Sequence, residues 1–346
     1  MAHRRTTFSK FIIEEQRRMT NPDPDLTALL NDVQTACKFI ASAIARGALE
    51  QTPSVKVRAN DIVLRECEWG GQLRGIASKE LREPYDIAAH NPRGRYLLCV
   101  DPLDGSSNLD VNVTVGTLFS ILRAPDGVDE PAVEDFLQPG SAQVAAGFAL
   151  YGPTATMVLT LGSGVNGFTL DREIGAYELT HPAMRVPETA RDFAIDASNE
   201  RHWEPPVRHY VEECNEGASG PRGVDFKMRW VDSIAVEVHR ILIRGGLFMY
   251  PRNTSDTSKE GRMRLLFEAN PMAMIVEQAG GAASTGRGRI LDVVPTELHH
   301  RVPVFLGSRA EVERIDDYHR TYDRGEELAF ETPLFNERSL FRTGVL

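Results

Sequence analysis

The chain has 346 residues, 42% hydrophobic and 25% charged, an ordinary globular composition that excludes wholesale disorder and calls for two domains rather than one small core. A formal net charge of -10 argues against a nucleic-acid partner, although a basic cluster or a bound metal can still reverse the potential inside one cleft. The four cysteines, Cys37, Cys67, Cys99 and Cys214, include no C-x-x-C pair and no zinc spacing, so reduced, buried thiols of a cytosolic protein are expected.

Taken in chain order, the apolar run Phe11-Ile12-Ile13 behind Arg4 and Arg5 is too short for a signal-peptide core. No stretch approaches the ~18 apolar residues of a membrane span, and the chain reads as cytoplasmic with no membrane partner. Ser9 is expected to cap a short helix through Arg18. Asn21-Pro22-Asp23-Pro24 breaks the pattern, and Leu26, Leu29, Leu30, Val33, Cys37, Ile40, Ala41 and Ile44 then recur at helical spacing up to Gly47. Glu50 to Val57 reads as a short loop and Asn60 to Trp69 as a helix.

Tyr96 to Val100 is a short apolar run, the mark of a buried strand, expected to stop at Asp101-Pro102 because proline lacks an N–H. Strands are predicted within Val111 to Leu122, at Val144 to Tyr151 and Thr156 to Leu161, and from Phe193 to Asp196. Helices are predicted at Pro206 to Cys214 and Ile234 to Ile243, then a strand at Leu247 to Tyr250. Arg264 to Gln278 is a predicted helix interrupted by Pro271. Val304 to Leu306 is the last strand and Glu311 to Arg320 the last helix. Strands followed by helices, then strands again, predict a layered α/β architecture. A boundary after Arg185-Val186-Pro187 divides the chain into 1–187 and 188–320, with a loosely attached tail at 321–346.

The most informative segment is DPLDGSSNLD, residues 101–110. A buried strand delivers Asp101, and Asp104 follows three residues later. Mg²⁺ takes oxygen ligands, commonly one or two carboxylates plus water and phosphate, and the Leu103 carbonyl lies between the two. Gly105-Ser106-Ser107 then offers consecutive N–H groups and two hydroxyls as an anion cradle. Metal ligands beside a phosphate cradle suit metal-dependent hydrolysis of a phosphate ester. An isolated D-x-x-D-G-S would more simply be an Asx-type turn with a serine cap. A second segment, GRMRLLFEANPM (261–272), adds Arg262 and Arg264, suited to phosphate, and Glu268 in an apolar stretch. A carboxylate there needs a metal or a partner, and Arg264 across one helical turn is the simplest partner.

The two segments together resemble the class I fructose-1,6-bisphosphatase family of the metal-dependent, lithium-sensitive sugar and inositol phosphatases. The resemblance extends from RRTTFSKFIIEEQ through GRYLLCVDPLDGSSNLDVNVTVGTLFSIL to MRWVDSIAVEVHRIL, GGLFMYP and RLLFEANPMAMIVEQAGGAA, nearly the whole chain from Arg5 to about Tyr318. It implies an α-β-α-β-α sandwich with an allosteric-type N-terminal domain, a C-terminal sugar-bisphosphate domain and a homotetramer. It implies about two Mg²⁺ or Mn²⁺ ions per site on Asp101, the Leu103 carbonyl, Asp104 and Glu268. Asp104, Gly105, Ser106 and Ser107 would cradle the 1-phosphate. Asn199, Tyr250 and Arg262 would hold the 6-phosphate, with Arg229 reaching it from a neighbouring subunit, and Arg264 would neutralise charge near the 1-phosphate.

The implied reaction is hydrolysis of fructose 1,6-bisphosphate to fructose 6-phosphate in gluconeogenesis or, with sedoheptulose 1,7-bisphosphate as a related substrate, in the Calvin cycle. Glu80 is the candidate for activating the attacking water, a solvated surface carboxylate being its simpler reading. His202 is a candidate pocket residue by its spacing from Asn199, and His299-His300 are read as loop residues. The chain also departs from the family pattern. Lys79 stands where a glutamate bridges the metals, Lys56 where an aspartate is usual, Trp230 for a substrate-site tyrosine and Arg262 for a sugar-binding lysine. The segment between Gly47 and Asn60 is shorter than the family's mobile loop. The two lysines favour a second reading, a catalytically weak paralogue that binds sugar bisphosphate or serves as a structural or regulatory subunit. The intact DPLDGSS and Glu268 favour the enzyme.

Overall fold

A computed structural model describes residues 5–18, 21–49, 54–127, 130–255 and 260–326. Three helices come first: α1 (Phe8–Arg18), α2 (Pro24–Arg46) and α3 (Val55–Cys67). Thr7, not Ser9, caps α1: the Lys10 N–H donates to its hydroxyl at 3.4 Å. Ser9 lies inside the first turn and donates instead to the Asn31 side chain on α2. α2 is long because its apolar stripe is unbroken, and both of its ends are stopped chemically. Asp23 accepts from the N–H groups of Asp25 and Leu26 with Pro24 in the first turn, and Gly47 closes the other end at φ 48°. α3 begins at Val55, five residues before the sequence pattern indicates, because Ser54 caps it through the Val57 N–H.

The first sheet runs in the order β1 (Leu73–Ser78), β2 (Tyr96–Asp104), β3 (Val115–Arg123), β4 (Ala145–Tyr151), β5 (Ala155–Thr160), β6 (Val165–Asp171), β7 (Ala176–Met184). A short helix, α4 (Val133–Phe136), lies between β3 and β4. β1 and β2 pair parallel and the rest antiparallel. Helices cover both faces of the central strands, which is why these read as near-continuous apolar runs. Along β2, Leu98 and Val100 enter the core under α1 to α3, while Leu97 and Cys99 face the opposite side with Phe136 and Phe267. All four cysteines are buried and unbridged.

The second sheet has the order β12 (Ala282–Ser284), β14 (Val304–Gly307), β10 (Leu247–Tyr250), β8 (Asp192–Ala194), β9 (Lys227–Met228), and β11 (Met263–Arg264) pairs antiparallel with β13 (Arg301–Val302) apart from it. Between the two sheets lie α6 (Ile234–Arg244) and α7 (Asn270–Gln278), which touch β3 and β4 on one side and β10, β12 and β14 on the other. α5 (Pro205–Glu216) and α8 (Arg309–Asp323) close the far face around Val207, Tyr210, Phe305 and Ile315. The result is a five-layer α-β-α-β-α sandwich. The chain passes from the first sheet to the second between Met184 and Asp192. α8 carries the fold to Asp323, beyond the expected start of the tail, and residues 327–346 of that tail lie outside the described residues. Among the described residues no helix is long and apolar enough to cross a membrane.

Two expectations fail where the chemistry is concentrated. β2 does not stop at Pro102; it continues through Asp104. Asp101 pairs with Leu118 but Asp104 with Gly116, so Pro102 and Leu103 oppose Thr117 alone. This bulge absorbs the proline, and the Thr117 hydroxyl donates to the Pro102 carbonyl at 2.8 Å. Likewise Pro271 does not interrupt a helix. A π-helical turn, Leu265–Ala269, comes first, and Pro271 sits in the first turn of α7, where its missing N–H leaves no broken bond.

Candidate active site

In a regular strand, residues three apart point to opposite faces. The extra residue in the β2 bulge turns Asp104 back to the side of Asp101, and the π-turn before α7 brings Glu268 to the same point. Oxygens of Asp101, Asp104 and Glu268 lie within 4.8 Å of one another, and all three residues are buried. Three buried carboxylates that close to one another repel strongly, and each is held by donors. Leu103 N–H donates to Asp101 Oδ1 at 3.2 Å, and Arg264 N–H to Glu268 Oε2 at 2.7 Å. Asp104 Oδ2 accepts from the Ser233 hydroxyl at 2.6 Å and from Ala235 N–H at 3.0 Å, at the start of α6. Asp232, just before Ser233, adopts the left-handed φ of 56°. Burial is the main cause that pushes the Asp101 and Asp104 carboxyls above their ordinary range, Asp101 to about 7, with neighbouring carboxylates adding to it and Lys79 opposing it. An oxygen-rich, buried donor set of this kind fits a hard divalent cation.

Lys79 lies inside this cluster. Its Nζ is 2.6 Å from Asp101 Oδ2 and 2.9 Å from Glu268 Oε1. The Coulomb fields of Asp101, Glu268 and Asp104 outweigh the opposing effect of burial and hold Lys79 protonated, its pKa raised. The second departure pairs as well: Lys56 Nζ on α3 is 3.0 Å from Glu80 Oε2. The expected pairing of Glu268 with the Arg264 guanidinium is not made. Arg264 uses its backbone N–H for that carboxylate and donates from Nε to His299 Nδ1 at 3.1 Å. The other ring nitrogen of His299 meets the Leu81 carbonyl at 2.7 Å.

Next to Asp104 the chain turns sharply. Gly105 has φ 69°, and a Cβ there would stand 2.8 Å from the Ser233 Cβ, so both backbone angle and space require glycine. Ser106 and Ser107 open the following 3₁₀ turn, part-exposed and exposed respectively. Asn108 ties this turn to the α6 approach by donating to the Val231 carbonyl at 2.7 Å. The structure thus brings Asp101, Leu103, Asp104 and the 105–107 turn to one strand end, with Glu268 beside it.

Asn199, His202, Tyr250 and Arg262 line one small pocket together with Asp196, Trp203 and Asn253. The Arg262 guanidinium stands over the Tyr250 ring, 5.3 Å from its centroid, and Trp230 stacks on Phe248 at 6.1 Å. Burial pushes the Tyr250 hydroxyl up to about 12. Arg229 is not part of this pocket's lining; it lies exposed just after β9. Sequence reasoning missed Ser233 and His299 as supports of the site. An N-cap signal at Ser233 was readable, but its reach to Asp104 across 129 residues was not.

Residues 6–182 match the family described as Fructose-1-6-bisphosphatase, N-terminal domain, and residues 186–320 its C-terminal domain. The chain is 56% identical to the class 1 fructose-1,6-bisphosphatase of Methylacidiphilum infernorum, with 99% of each chain covered. It is 54% identical to that of Hydrogenophilus thermoluteolus, with 98% of each covered. Among solved structures it resembles the Leishmania major fructose-1,6-bisphosphatase in holo form, with a TM-score of 0.83, 35% identity, and 91% of this chain and 99% of that chain covered. The T-state form of the same enzyme gives a TM-score of 0.84 at 35% identity, over 91% of this chain and 98% of the other. The chain belongs to the class I fructose-1,6-bisphosphatase family.

Proposed function

We propose that the chain hydrolyses the 1-phosphate of fructose 1,6-bisphosphate to fructose 6-phosphate and inorganic phosphate. The observation that carries this is the bulge in β2, which sets Asp101 and Asp104 beside Glu268 and at the mouth of the Gly105–Ser107 turn. The N–H groups and hydroxyls of that turn hold the departing phosphate, while Asn199, Tyr250 and Arg262 hold the phosphate at the other end of the sugar. Arg264, fixed by His299, offsets charge at the 1-phosphate. Asp101, the Leu103 carbonyl, Asp104 and Glu268 are the groups that would hold Mg²⁺ or Mn²⁺, which when bound neutralises phosphoryl oxygens and acidifies water. Glu80, held by Lys56, accepts the proton of the attacking water.

In this reading residues 1–187 form the domain that carries the metal and phosphate loop, and 188–320 the domain that carries the sugar end. Arg229, exposed at the edge of the second sheet, serves the pocket of a neighbouring subunit in a homotetramer. An acidic cytoplasmic enzyme of gluconeogenesis or the Calvin cycle fits the composition. The test is product identity by phosphorus NMR. Fructose 6-phosphate with free phosphate supports the assignment; fructose 1-phosphate, or no product in Mg²⁺ or Mn²⁺, overturns it.

A further inference from the structure

Lys79 stands at the end of β1. Its own N–H donates to the Val100 carbonyl at 2.9 Å, which delivers the side chain to the strand end that carries Asp101. Its ammonium bridges Asp101 and Glu268 with two short contacts, as a bound cation would. The formal charge of the cluster follows directly. Three carboxylates and one ammonium sum to minus two, which a single divalent ion neutralises. A glutamate in place of Lys79 would make it minus four, the charge that two divalent ions neutralise.

We propose that Lys79 is a resident cation that takes the place of one divalent ion, so that the active site binds one divalent ion per chain instead of about two. The proposal rests on the reading of Asp101, Asp104 and Glu268 as the metal-binding groups of a sugar bisphosphatase. The contacts support it over a lysine that swings away: its side chain is only 17% exposed and both carboxylates it meets are buried. A second ammonium, Lys56, makes the same kind of pairing with Glu80 3.0 Å away, so both lysines compensate carboxylates at this edge of the fold. The ammonium brings charge but no open coordination position, so Lys79 neutralises the cluster without acidifying water.

The test counts metal rather than turnover. Mn²⁺ binding to the full chain is measured by equilibrium dialysis, with electron paramagnetic resonance of free Mn²⁺, for wild type, Lys79→Glu, Lys79→Gln and Asp104→Asn. The last removes one of the cluster's carboxylate charges, so surface sites can be subtracted. The expected result is a single tight Mn²⁺ per wild-type chain that is lost in Asp104→Asn, and a second one gained in Lys79→Glu. Two tight ions on wild type, none at all, or no gain in a folded Lys79→Glu chain would overturn the proposal. If Lys79→Glu does not fold, the wild-type count decides, and Lys79→Gln must then tighten Mn²⁺ by tenfold or more; unchanged affinity overturns it. The two readings fail separately. A single ion with no phosphate release from fructose 1,6-bisphosphate sinks the assigned reaction alone, and two ions with rapid release sink the role of Lys79 alone.

Discussion

Replacing Lys79 by methionine keeps most of the side-chain volume and removes the charge that separates Asp101 from Glu268. The lysine contacts both at 2.6 and 2.9 Å, and the two carboxylate side chains are 0% and 6% exposed. Removing one partner of a buried ion pair costs about 3–5 kcal/mol, because the remaining charge is left uncompensated. Slight exposure of Lys79 places the expected loss at the lower end, about 3 kcal/mol in the absence of metal. Two further dependences follow. A second divalent ion that binds only the folded variant, in the place of the lost ammonium, restores about 2.7 kcal/mol of the deficit at about 100 times its Kd. The pH dependence has a definite sign. Burial already raises Asp101 to about 7 in the folded chain, so the folded state binds more protons than the unfolded one between about pH 4 and pH 7, and stability falls as pH rises through that window. Losing Lys79 pushes this carboxyl further up. The deficit should therefore be larger at about pH 8 than at about pH 5.5. Urea midpoints with EDTA and with Mn²⁺, at both pH values, measure all three effects. A Lys79→Met chain that unfolds at the wild-type midpoint in EDTA would refute the buried-pair reasoning. So would a deficit that Mn²⁺ leaves untouched.

Three other perturbations probe separate parts of the structure. Asp23 caps α2 and also accepts from Arg95 Nη2 at 2.9 Å and from the Tyr96 hydroxyl, and these donors outweigh burial to hold its carboxyl below the ordinary range. Asp23→Ala should destabilise by about 2–3 kcal/mol near neutral pH, and the charge-dependent part of that deficit should fade as pH falls below the ordinary 3.8 and through the lowered folded-state value; a deficit undiminished in acid would show that the charge contributes nothing. Ser233→Ala removes the hydroxyl that donates to Asp104 at 2.6 Å; Mn²⁺ affinity should fall about tenfold or more with the fold retained, and unchanged affinity by dialysis would show that Asp104 needs no such support. Mixing Arg229→Ala with Asp104→Ala chains, each inactive alone, should restore some activity in hybrids, whereas a monomer in sedimentation would rule out action across subunits.

Much of the fold was legible because its strands are covered on both faces. Tyr96 to Val100 and Val144 to Tyr151 announce themselves as apolar runs, and α2 as an unbroken stripe. The strands that escaped notice lack that signal. β1 (LRGIAS) is short with a glycine in it, and β6 has Asn166 and Gly167 directly after its first residue. β7 is an edge strand, exposed over Thr180 to Ala183 and carrying Pro182. At the site, the spacing of DPLDG put Asp101 and Asp104 together and the family resemblance added Glu268, and the three are neighbours, but neither signal showed how they meet. The bulge depends on how β2 pairs with β3, and a proline read locally suggests a stop instead. The π-turn around Glu268 is equally invisible to a helix-period argument. Lys79, Ser233 and His299 act through partners 22 to 218 residues away, distances over which local patterns carry no information.

Metal-dependent phosphate release is the role proposed for the strand end bearing Asp101 and Asp104. The direct measurement is free phosphate formed from fructose 1,6-bisphosphate by the purified chain, in Mg²⁺, in Mn²⁺ and in EDTA, with Asp104→Asn alongside. Release should require the divalent ion and fall about 100-fold or more in the variant, whose weakened site still folds. Release that persists in EDTA, or an Asp104→Asn chain that turns over at the wild-type rate, would contradict that role.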